Sequence, residues 1–186
     1  MLSDRLKEET KSAHLEVEAL IMPRVKGLNS PAAYADLLNI FYGYFSPVEK
    51  KIESYIEPDI IADAAERRKA AAILQDITFL GEQKQENECI KLPAIYNTAT
   101  ALGAMYVLEG STLGGVHLSK IISGKMNFTA NEGVEFFNGY GSGTLGKWNS
   151  FKDRLNNYAV NAELEDEVIK SANETFIKFK SWIQEN

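Results

Sequence analysis

The chain has 186 residues, of which 45% are hydrophobic and 25% charged, and its formal net charge is -6. This size suits one domain with a full core, and the acidic balance argues against nucleic acid as a partner because no basic surplus can neutralise phosphates. The single cysteine, Cys89, excludes an internal disulfide, the charged N-terminus excludes a signal peptide, and no apolar run of about 18 residues could span a membrane. We therefore expect a cytoplasmic protein with neither a nucleic-acid nor a membrane partner.

The first helix is predicted from apolar and small residues that recur at steps of three and four. Ser3 is its predicted N-cap, and Pro23 is predicted to end it. The residues that form this face are Leu2, Leu6, Thr10, Ala13, His14, Val17, Leu20 and Ile21.

The second predicted helix starts at Ser30-Pro31, because proline is favoured at the first helical position. Pro47 is predicted to break or kink this helix, and the pattern continues helically from Val48 to Ile56. The apolar residues of its first part lie on one side: Tyr34, Leu37, Leu38, Phe41, Tyr42 and Phe45.

The remaining segments are also helical in pattern. A helix is predicted from about Ile60 to Leu80 with Gly81 as its cap, then a polar loop over 82–91, then a long helix from Ala94 to Ile122 ended by Gly124. After a glycine-rich break over 139–146, two helices are predicted at Lys147–Tyr158 and Glu163–Ile183. No alternation of period two persists, so we predict an all-α fold in a single domain over residues 1–186.

The long helix contains an unusual run, Tyr-Val-Leu-Glu-Gly-Ser-Thr-Leu-Gly-Gly, at residues 106–115. A glycine inside a helix costs about 1 kcal/mol relative to alanine. Gly110, Gly114 and Gly115 therefore indicate either a bend or the close approach of a flat group to the backbone.

His14 is the first candidate ligand. It shares the apolar stripe of the first helix, so we predict that it faces inward, and Glu18 lies four residues on along the same face. A carboxylate beside the second ring nitrogen would orient the imidazole, as metal ligation requires. The alternative is a histidine at the edge of the core that a neighbour satisfies.

Other chemistries find little support in the sequence. His117 is more consistent with a partly exposed helix residue, and Cys89 has no partner cysteine. Neither histidine is preceded by a glutamate at three residues, as a di-iron carboxylate bundle needs, and neither a Cys-x-x-Cys-His haem attachment nor a P-loop occurs. Gly110 and Gly114 also match Gly-x-x-x-Gly, which is a weak signal outside a membrane.

Three features remain: an inward histidine on an early helix, a glycine-broken helix later in the chain, and two lysines, Lys7 and Lys11, before the histidine. Haem (heme) would use all three, as an axial imidazole, a bare backbone over the other face, and cations for the propionates. A solvated face is the alternative explanation for each lysine alone.

Residues 6–14, Leu-Lys-Glu-Glu-Thr-Lys-Ser-Ala-His, resemble the proximal helix of the haem oxygenase family, most closely its bacterial, biliverdin-producing branch associated with phytochromes. The resemblance implies that His14 is the axial ligand of the haem iron, with Glu18 one turn later. It further implies that Lys7 and Lys11 flank the propionates.

The run at 106–115 resembles the distal helix of the same family, whose glycines lie against the haem. Gly110, Gly114 and Gly115 take that role by resemblance. The segment Arg154-Leu155-Asn156 resembles one whose arginine binds a propionate, and Phe136-Phe137, Tyr140-Gly141 and Trp148 also resemble the bacterial branch.

One position departs from animal-type members of the family. They carry an aspartate directly after the first distal glycine, where it organises water near bound oxygen, and Ser111 stands there in this chain. The phytochrome-associated branch is similar to this sequence at that position. A serine hydroxyl can donate or accept a hydrogen bond but brings no charge.

The resemblance implies an enzyme that cleaves haem b, as both substrate and cofactor, to biliverdin, carbon monoxide and ferrous iron. It would use O₂ and an external electron donor, a ferredoxin or a reductase, and supply bilin to a phytochrome or serve iron acquisition. The sequence leaves the oligomeric state open, and a monomer is the simplest expectation. Two alternatives stay open: a haem carrier or sensor on the same fold, for which Ser111 is the argument, and a helical interaction module without a cofactor.

Overall fold

The computed structural model describes residues 1–129 and 132–186, and within these ranges it contains helices and no strand. The prediction of an all-α fold is therefore confirmed. Two short 3₁₀ helices, Ala64–Glu66 and Gly141–Gly143, accompany eight α-helices: α1 (Leu2–Glu9), α2 (Lys11–Gly27), α3 (Pro31–Glu53), α4 (Ala71–Phe79), α5 (Thr98–Met126), α6 (Glu135–Asn138), α7 (Thr144–Tyr158) and α8 (Ala162–Glu185).

The predicted first helix is two helices, because the residue Thr10 separates α1 from α2. The Thr10 hydroxyl donates to the carbonyl of Leu6 at 2.7 Å, and Met1, not Ser3, occupies the N-cap of α1. Pro23 does not end α2, which continues to Gly27. Packing explains the error: Val25 is fully buried and Arg24 donates to the carbonyl of Ile183, so tertiary contacts outweigh the bond that proline removes.

α3 begins as the sequence predicts. The Ser30 hydroxyl accepts a hydrogen bond from the amide of Ala33, Pro31 is the first helical residue, and the helix passes through Pro47 to Glu53. The segment expected to be helical from Ile60 is helical in α4 only from Ala71, after the first 3₁₀ helix. Gly81 follows the end of α4 with a φ of 71°, a left-handed conformation that glycine adopts without strain.

α5 is the central helix and packs along α8. It starts at Thr98 under a reciprocal cap between Asn97 and Thr100, and it continues past Gly124 to end at Met126, where Asn127 takes the left-handed conformation. A Cβ at Gly103 would collide with the carbonyl of Val168, so this glycine lets α5 and α8 approach closely. The Ser171 hydroxyl donates to the carbonyl of Thr100 at 2.6 Å across the same interface. This packing fixes the first half of α5 in the core.

A cluster of aromatic side chains fills the space between α3, α6 and α8. Phe41 lies 5.1 Å from Phe137 and 5.4 Å from Phe179 between ring centroids, and both pairs meet edge to face. The Tyr44 hydroxyl donates to the carbonyl of Thr175 at 2.6 Å, and the indole of Trp182 donates to the carbonyl of Ile40 at 2.8 Å. Each buried polar tip therefore has a partner. No helix in the described part of the chain is long and apolar enough to cross a membrane.

The short helix α6 is held by a buried carboxylate from α4. The two oxygens of Asp76 accept the amides of Glu135 at 2.8 Å and Phe136 at 3.0 Å. Burial raises the pKa of Asp76 to about 6, and the two amide bonds only partly oppose that effect.

This carboxylate should make the free energy of unfolding depend on pH. The pKa of Asp76 is higher in the folded protein than its ordinary value of 3.8, so folding binds a proton between about pH 4 and 6. The contribution of Asp76 to stability is therefore present at pH 4 and is lost as the pH rises to about 6. We expect Asp76→Asn to remove this slope in urea unfolding measured at pH 4, 5, 6 and 7, and to cost about 1–3 kcal/mol because one amide loses its acceptor.

Asp36→Asn is the matched control for that measurement, since Asp36 lies exposed on α3. The control should keep the slope. An unchanged slope in Asp76→Asn would show that other carboxylates set the acid dependence.

Candidate functional site

His14 lies on the inward face of α2 but is not covered by the protein. Three residues on the same face as His14 are buried. They are Thr10, four residues before it, Val17, three residues after it, and Ile21, four residues after Val17. The side chain of His14 is nevertheless 60% exposed. The sequence predicts that this imidazole faces inward; it lies on that face and contacts α8, but the described part of the chain leaves most of its surface uncovered.

Two neighbours restrict the imidazole of His14. The ring meets Phe176 of α8 edge to face, with 5.9 Å between the ring centroids. Its Nδ1 atom faces Glu18, at 3.9 Å from the nearer carboxylate oxygen. Because Nδ1 is the nitrogen on the carboxylate side, Nε2 remains available to bind a metal.

The three glycines of α5 differ in what surrounds them. A Cβ at Gly115 would collide with the carbonyl of Phe137, so close packing against α6 accounts for this glycine by itself. A Cβ at Gly114 would meet no described atom within 4 Å, and one at Gly110 would touch only the ring of Trp148, at 3.6 Å. The fold therefore requires a glycine at position 115 and leaves the backbone at 110 and 114 open.

α2 and α5 meet one turn before these open surfaces. Tyr106 of α5 is buried, and burial raises the pKa of its hydroxyl. That hydroxyl lies near the side chain of Thr10. His14 is four residues beyond Thr10, and Gly110 is four residues beyond Tyr106. Each is thus one helical turn past the contact, on the same face of its own helix as the residue that makes the contact. We use the name α2–α5 cleft for the surface of these two helices that carries His14, Glu18, Gly110 and Gly114.

Trp148 of α7 closes one side of this cleft. Its ring stacks at a tilt on Tyr106, with 5.3 Å between centroids, and on Phe151 at 5.9 Å. The same ring lies beside Gly110. A flat ligand entering between α2 and α5 would therefore meet aromatic and bare-backbone surfaces, which suit an apolar macrocycle.

The predicted propionate-binding cations lie at the surface. Lys7, Lys11 and Arg154 are all exposed, and within residues 1–129 and 132–186 none of them pairs with a carboxylate. The amide of Ser3 donates to the side chain of Asn156 at 2.9 Å, which joins α1 to the end of α7 that carries Arg154. The structure thus brings Arg154 to the helix that carries Lys7.

A buried polar network lies on the other side of α5. Arg67 donates to Glu109 at 2.7 Å, and these two side chains are only 2% and 4% exposed. The Tyr140 hydroxyl donates to the same carboxylate at 2.9 Å, and Asp63 joins Arg67 to Lys147 of α7. Burial lowers the pKa of Arg67, but Glu109 and Asp63 more than offset this effect and hold the pKa above its ordinary value.

No pattern in the sequence pointed to this network. Glu109 directly precedes Gly110, so the network fixes α5 from behind at the point where the cleft begins. Arg67 and Glu109 are 42 residues apart in the chain, and the pair Arg67-Arg68 stands in an irregular segment where the sequence predicted a helix. No local spacing pattern could therefore have linked them.

The fold and this arrangement match known proteins. The family model described as Heme oxygenase matches residues 1–185. The chain belongs to the haem oxygenase family. A search of curated protein sequences finds no significant match.

Solved structures of haem oxygenases share the fold over the whole chain. A heme oxygenase from Neisseria meningitidis, with NO and CO bound, is 25% identical with a TM-score of 0.85, covering 100% of this chain and 91% of that one. A heme oxygenase from Leptospira interrogans is 20% identical with a TM-score of 0.79, covering 100% and 99%. Heme oxygenase-1 from the cyanobacterium Synechocystis, in complex with heme, is 18% identical with a TM-score of 0.72, covering 99% and 91%.

The predicted family, fold class and enzyme class of this haem oxygenase are thereby confirmed. The roles of individual residues are a separate matter and stay predictions. His14 and Glu18 are exposed on α2, Gly114 is exposed on α5 and Gly110 lies beside Trp148, whereas Gly115 packs against α6. Ser111 flanks the cleft, and His117 is exposed one turn beyond Leu113 and Gly114.

Gly114 and Gly115 offer a direct test of which glycine serves the site. We expect Gly115→Ala to lower the free energy of unfolding of the haem-free protein by about 1–3 kcal/mol, because its Cβ overpacks against Phe137. Gly114→Ala should be neutral or stabilising by up to about 1 kcal/mol, because the added methyl meets open space and favours the helix. Urea unfolding monitored by circular dichroism measures both.

A larger side chain at position 114 distinguishes an effect on stability from an effect on hemin binding. Gly114→Leu should keep the stability of the haem-free protein but weaken hemin binding, since the side chain projects into the α2–α5 cleft. Hemin binding equal to that of the unmodified protein would mean that α5 does not face the macrocycle at Gly114.

Proposed function

We propose that this haem oxygenase binds haem b in the α2–α5 cleft and cleaves it oxidatively to biliverdin, carbon monoxide and ferrous iron, using O₂ and an external electron donor. The exposed imidazole of His14 is the observation that supports the proposal most directly. It lies on a helix face that is buried on either side of it, and it stands one turn past the contact of Thr10 with Tyr106. An exposed side chain at that place is suited to a ligand that covers it.

The residues of the cleft fit haem. Nε2 of His14 would bind the iron, while Glu18 on the Nδ1 side would orient the ring and favour the tautomer with a proton on Nδ1. Gly110 and Gly114 leave the opposite wall free of side chains, so that the helix backbone can approach a flat group. When bound, haem would supply both the iron that reacts with O₂ and the ring that is cleaved.

The exposed cations orient the macrocycle within the cleft. Lys7 and Lys11 lie on the proximal side and Arg154 at the end of α7, where each can pair with a propionate. By holding the propionates, these cations would restrict the orientation of the ring and so select which bridge is cleaved. Trp148 and Tyr106 exclude water from the inner end of the cleft, which protects the reaction from competing oxidation.

The partners follow from this chemistry. The electrons come from a separate protein, a ferredoxin or a reductase, and the bilin product goes to a phytochrome or is a by-product of iron acquisition. We place the reaction in the cytoplasm and expect the protein to act as a monomer.

A hemin titration followed by aerobic turnover tests the proposal. Purified protein should bind hemin in a 1:1 ratio with a shifted Soret band. Addition of a reductant under air should then bleach this band, release a green bilin, and yield carbon monoxide that ferrous myoglobin captures. A Soret band that shifts but survives the reductant would indicate a carrier or sensor, and no shift at all would indicate an interaction module.

A further inference from the structure

Arg68 forms hydrogen bonds with α5 close to Gly110. Its Nη2 donates to the carbonyl of Leu108 at 2.6 Å and to the hydroxyl of Ser111 at 2.9 Å. The guanidinium carbon lies 4.2 Å from the ring centroid of Phe136 and 5.5 Å from that of Phe45. The arginine is therefore held on its faces by aromatic rings while its edge contacts the distal helix.

The main chain of Arg68 is fixed as well. Its amide donates to the Tyr140 hydroxyl at 2.8 Å, and that hydroxyl donates to Glu109 on α5. Burial lowers the pKa of Arg68, but an arginine remains charged at any physiological pH. A fixed positive charge thus stands behind Ser111.

The hydrogen bonds of Ser111 leave it only one free position. A hydroxyl has one proton and two lone pairs. The Ser111 proton goes to the carbonyl of Leu108, at 2.6 Å, and one lone pair accepts from Arg68. One lone pair remains, so Ser111 can accept one further hydrogen bond and has no proton to donate.

From these contacts we propose that Arg68 is a positioning residue that holds the Ser111 hydroxyl as a hydrogen-bond acceptor for a group bound beside Gly110. The inference rests on the proposed function, since it concerns the residue next to Gly110. Rotation of the proton toward the guanidinium is opposed by the positive charge. Rotation into the free position would instead turn a lone pair of Ser111 onto the carbonyl oxygen of Leu108, 2.6 Å away, which is also unfavourable. A water molecule that contacts Ser111 must then donate one O–H to it, and this sets the direction of the other O–H.

The contact with Arg68 also explains how the uncharged Ser111 can act at the position where animal-type members of the family carry an aspartate. The charge resides on Arg68, and the hydroxyl gains a single orientation from it. A serine inside a helix commonly bonds back to its own helix in more than one rotamer, so without Arg68 several orientations should be populated. The expected signature of losing Arg68 is therefore heterogeneity in the cleft.

The C–O stretching band of the ferrous CO complex reports the local field on the distal side and so measures this heterogeneity. We compare the unmodified protein with Arg68→Met, Ser111→Ala and the double variant. Methionine keeps the packing between Phe136 and Phe45 while removing the charge and the hydrogen bonds. Lys69→Met is the matched control, because Lys69 is the next residue, pairs with Glu49 and Glu53, and makes no hydrogen bond to α5 in the described part of the chain.

We expect one dominant band in the unmodified protein and in Lys69→Met, and a band that splits or broadens in Arg68→Met. Ser111→Ala should again give a single band, at a shifted position. The double variant should match Ser111→Ala in width, because Arg68 acts through the hydroxyl. An unsplit band in Arg68→Met, or a split band in the double variant, would overturn the proposal.

A measurement on the haem-free protein tests the contact without any ligand. The losses in urea midpoint caused by Arg68→Met and Ser111→Ala should be less than additive in the double variant, since both remove one shared bond. Additive losses would count against the contact. If hemin fails to bind to every variant and to the unmodified protein, the proposed function fails as a whole, whereas normal hemin spectra with unchanged band widths refute the role of Arg68 alone.

Discussion

Replacing His14 with alanine is expected to remove the normal axial ligand of bound haem and to lower turnover by at least about 100-fold. Loss of a group that only supports a metal ligand already costs about 10–100-fold, and His14 is the ligand itself in the proposed site. Hemin spectra measure the coordination, and release of bilin under air with a reductant measures the turnover. The exposed position of His14 makes a folding defect a minor concern, since few protein contacts are lost.

His117→Ala is the matched control, because His117 is the other histidine of the chain and lies exposed on α5. It should leave both the Soret band and the rate of bilin release unchanged. Added imidazole should restore part of the normal spectrum to His14→Ala by filling the space that the side chain leaves. Complete haem breakdown by His14→Ala without imidazole would refute the assignment of the ligand.

Replacing Arg67 with alanine is expected to destabilise the protein by roughly 3–5 kcal/mol. Arg67 and Glu109 are almost completely buried, and removal of the arginine leaves the Glu109 carboxylate without its charged partner in a poorly solvated place. The midpoint of urea unfolding of the haem-free protein measures this loss. The result should not depend on hemin, because the network lies behind α5 and not in the cleft.

Two further variants separate the loss of the ion pair from the loss of a side chain. Arg5→Ala removes an arginine that makes several ion pairs at the surface, where water and salt screen them, and it should cost much less. The double variant Arg67→Met with Glu109→Gln should recover most of the stability, because it leaves neither charge of the pair buried and the new side-chain amide can still accept from Tyr140. An Arg67→Ala protein as stable as Arg5→Ala would show that the buried pair contributes little.

One face of α5 is held by packing and ion pairs, whereas the backbone of the other is open at two glycines. The first half of the helix is fixed by α8 at Gly103 and by the network at Glu109, and Gly115 is fixed against α6. Between these anchors, the backbone at Gly110 and Gly114 is left open. A helix that is held so firmly behind its open face can present bare backbone to a ligand without collapsing onto it.

The periodicity of the sequence was enough to predict helices throughout and a start for α3 at Ser30-Pro31, because capping and amphipathic spacing act within a few residues. The same local rules failed at Pro23 and Gly124. At Pro23, α2 continues because its next turn packs on the rest of the protein, and such contacts outweigh a local preference of a few kcal/mol at most. At Gly124, α5 continues for only two residues, and Asn127, not the glycine, takes the left-handed conformation that ends it.

The candidate site divides in the same way. The sequence by itself identified His14, Glu18, Lys7 and Lys11 as candidates, because they lie close together on one short segment, and the glycines of α5, because glycine is unfavourable inside a helix. Only the tertiary structure decided that Gly115 is a packing residue, that His14 is exposed, and that Arg67 and Arg68 hold α5. Burial and contacts between residues some 40 positions apart depend on how helices are placed against each other, and that placement leaves no periodic trace in the chain.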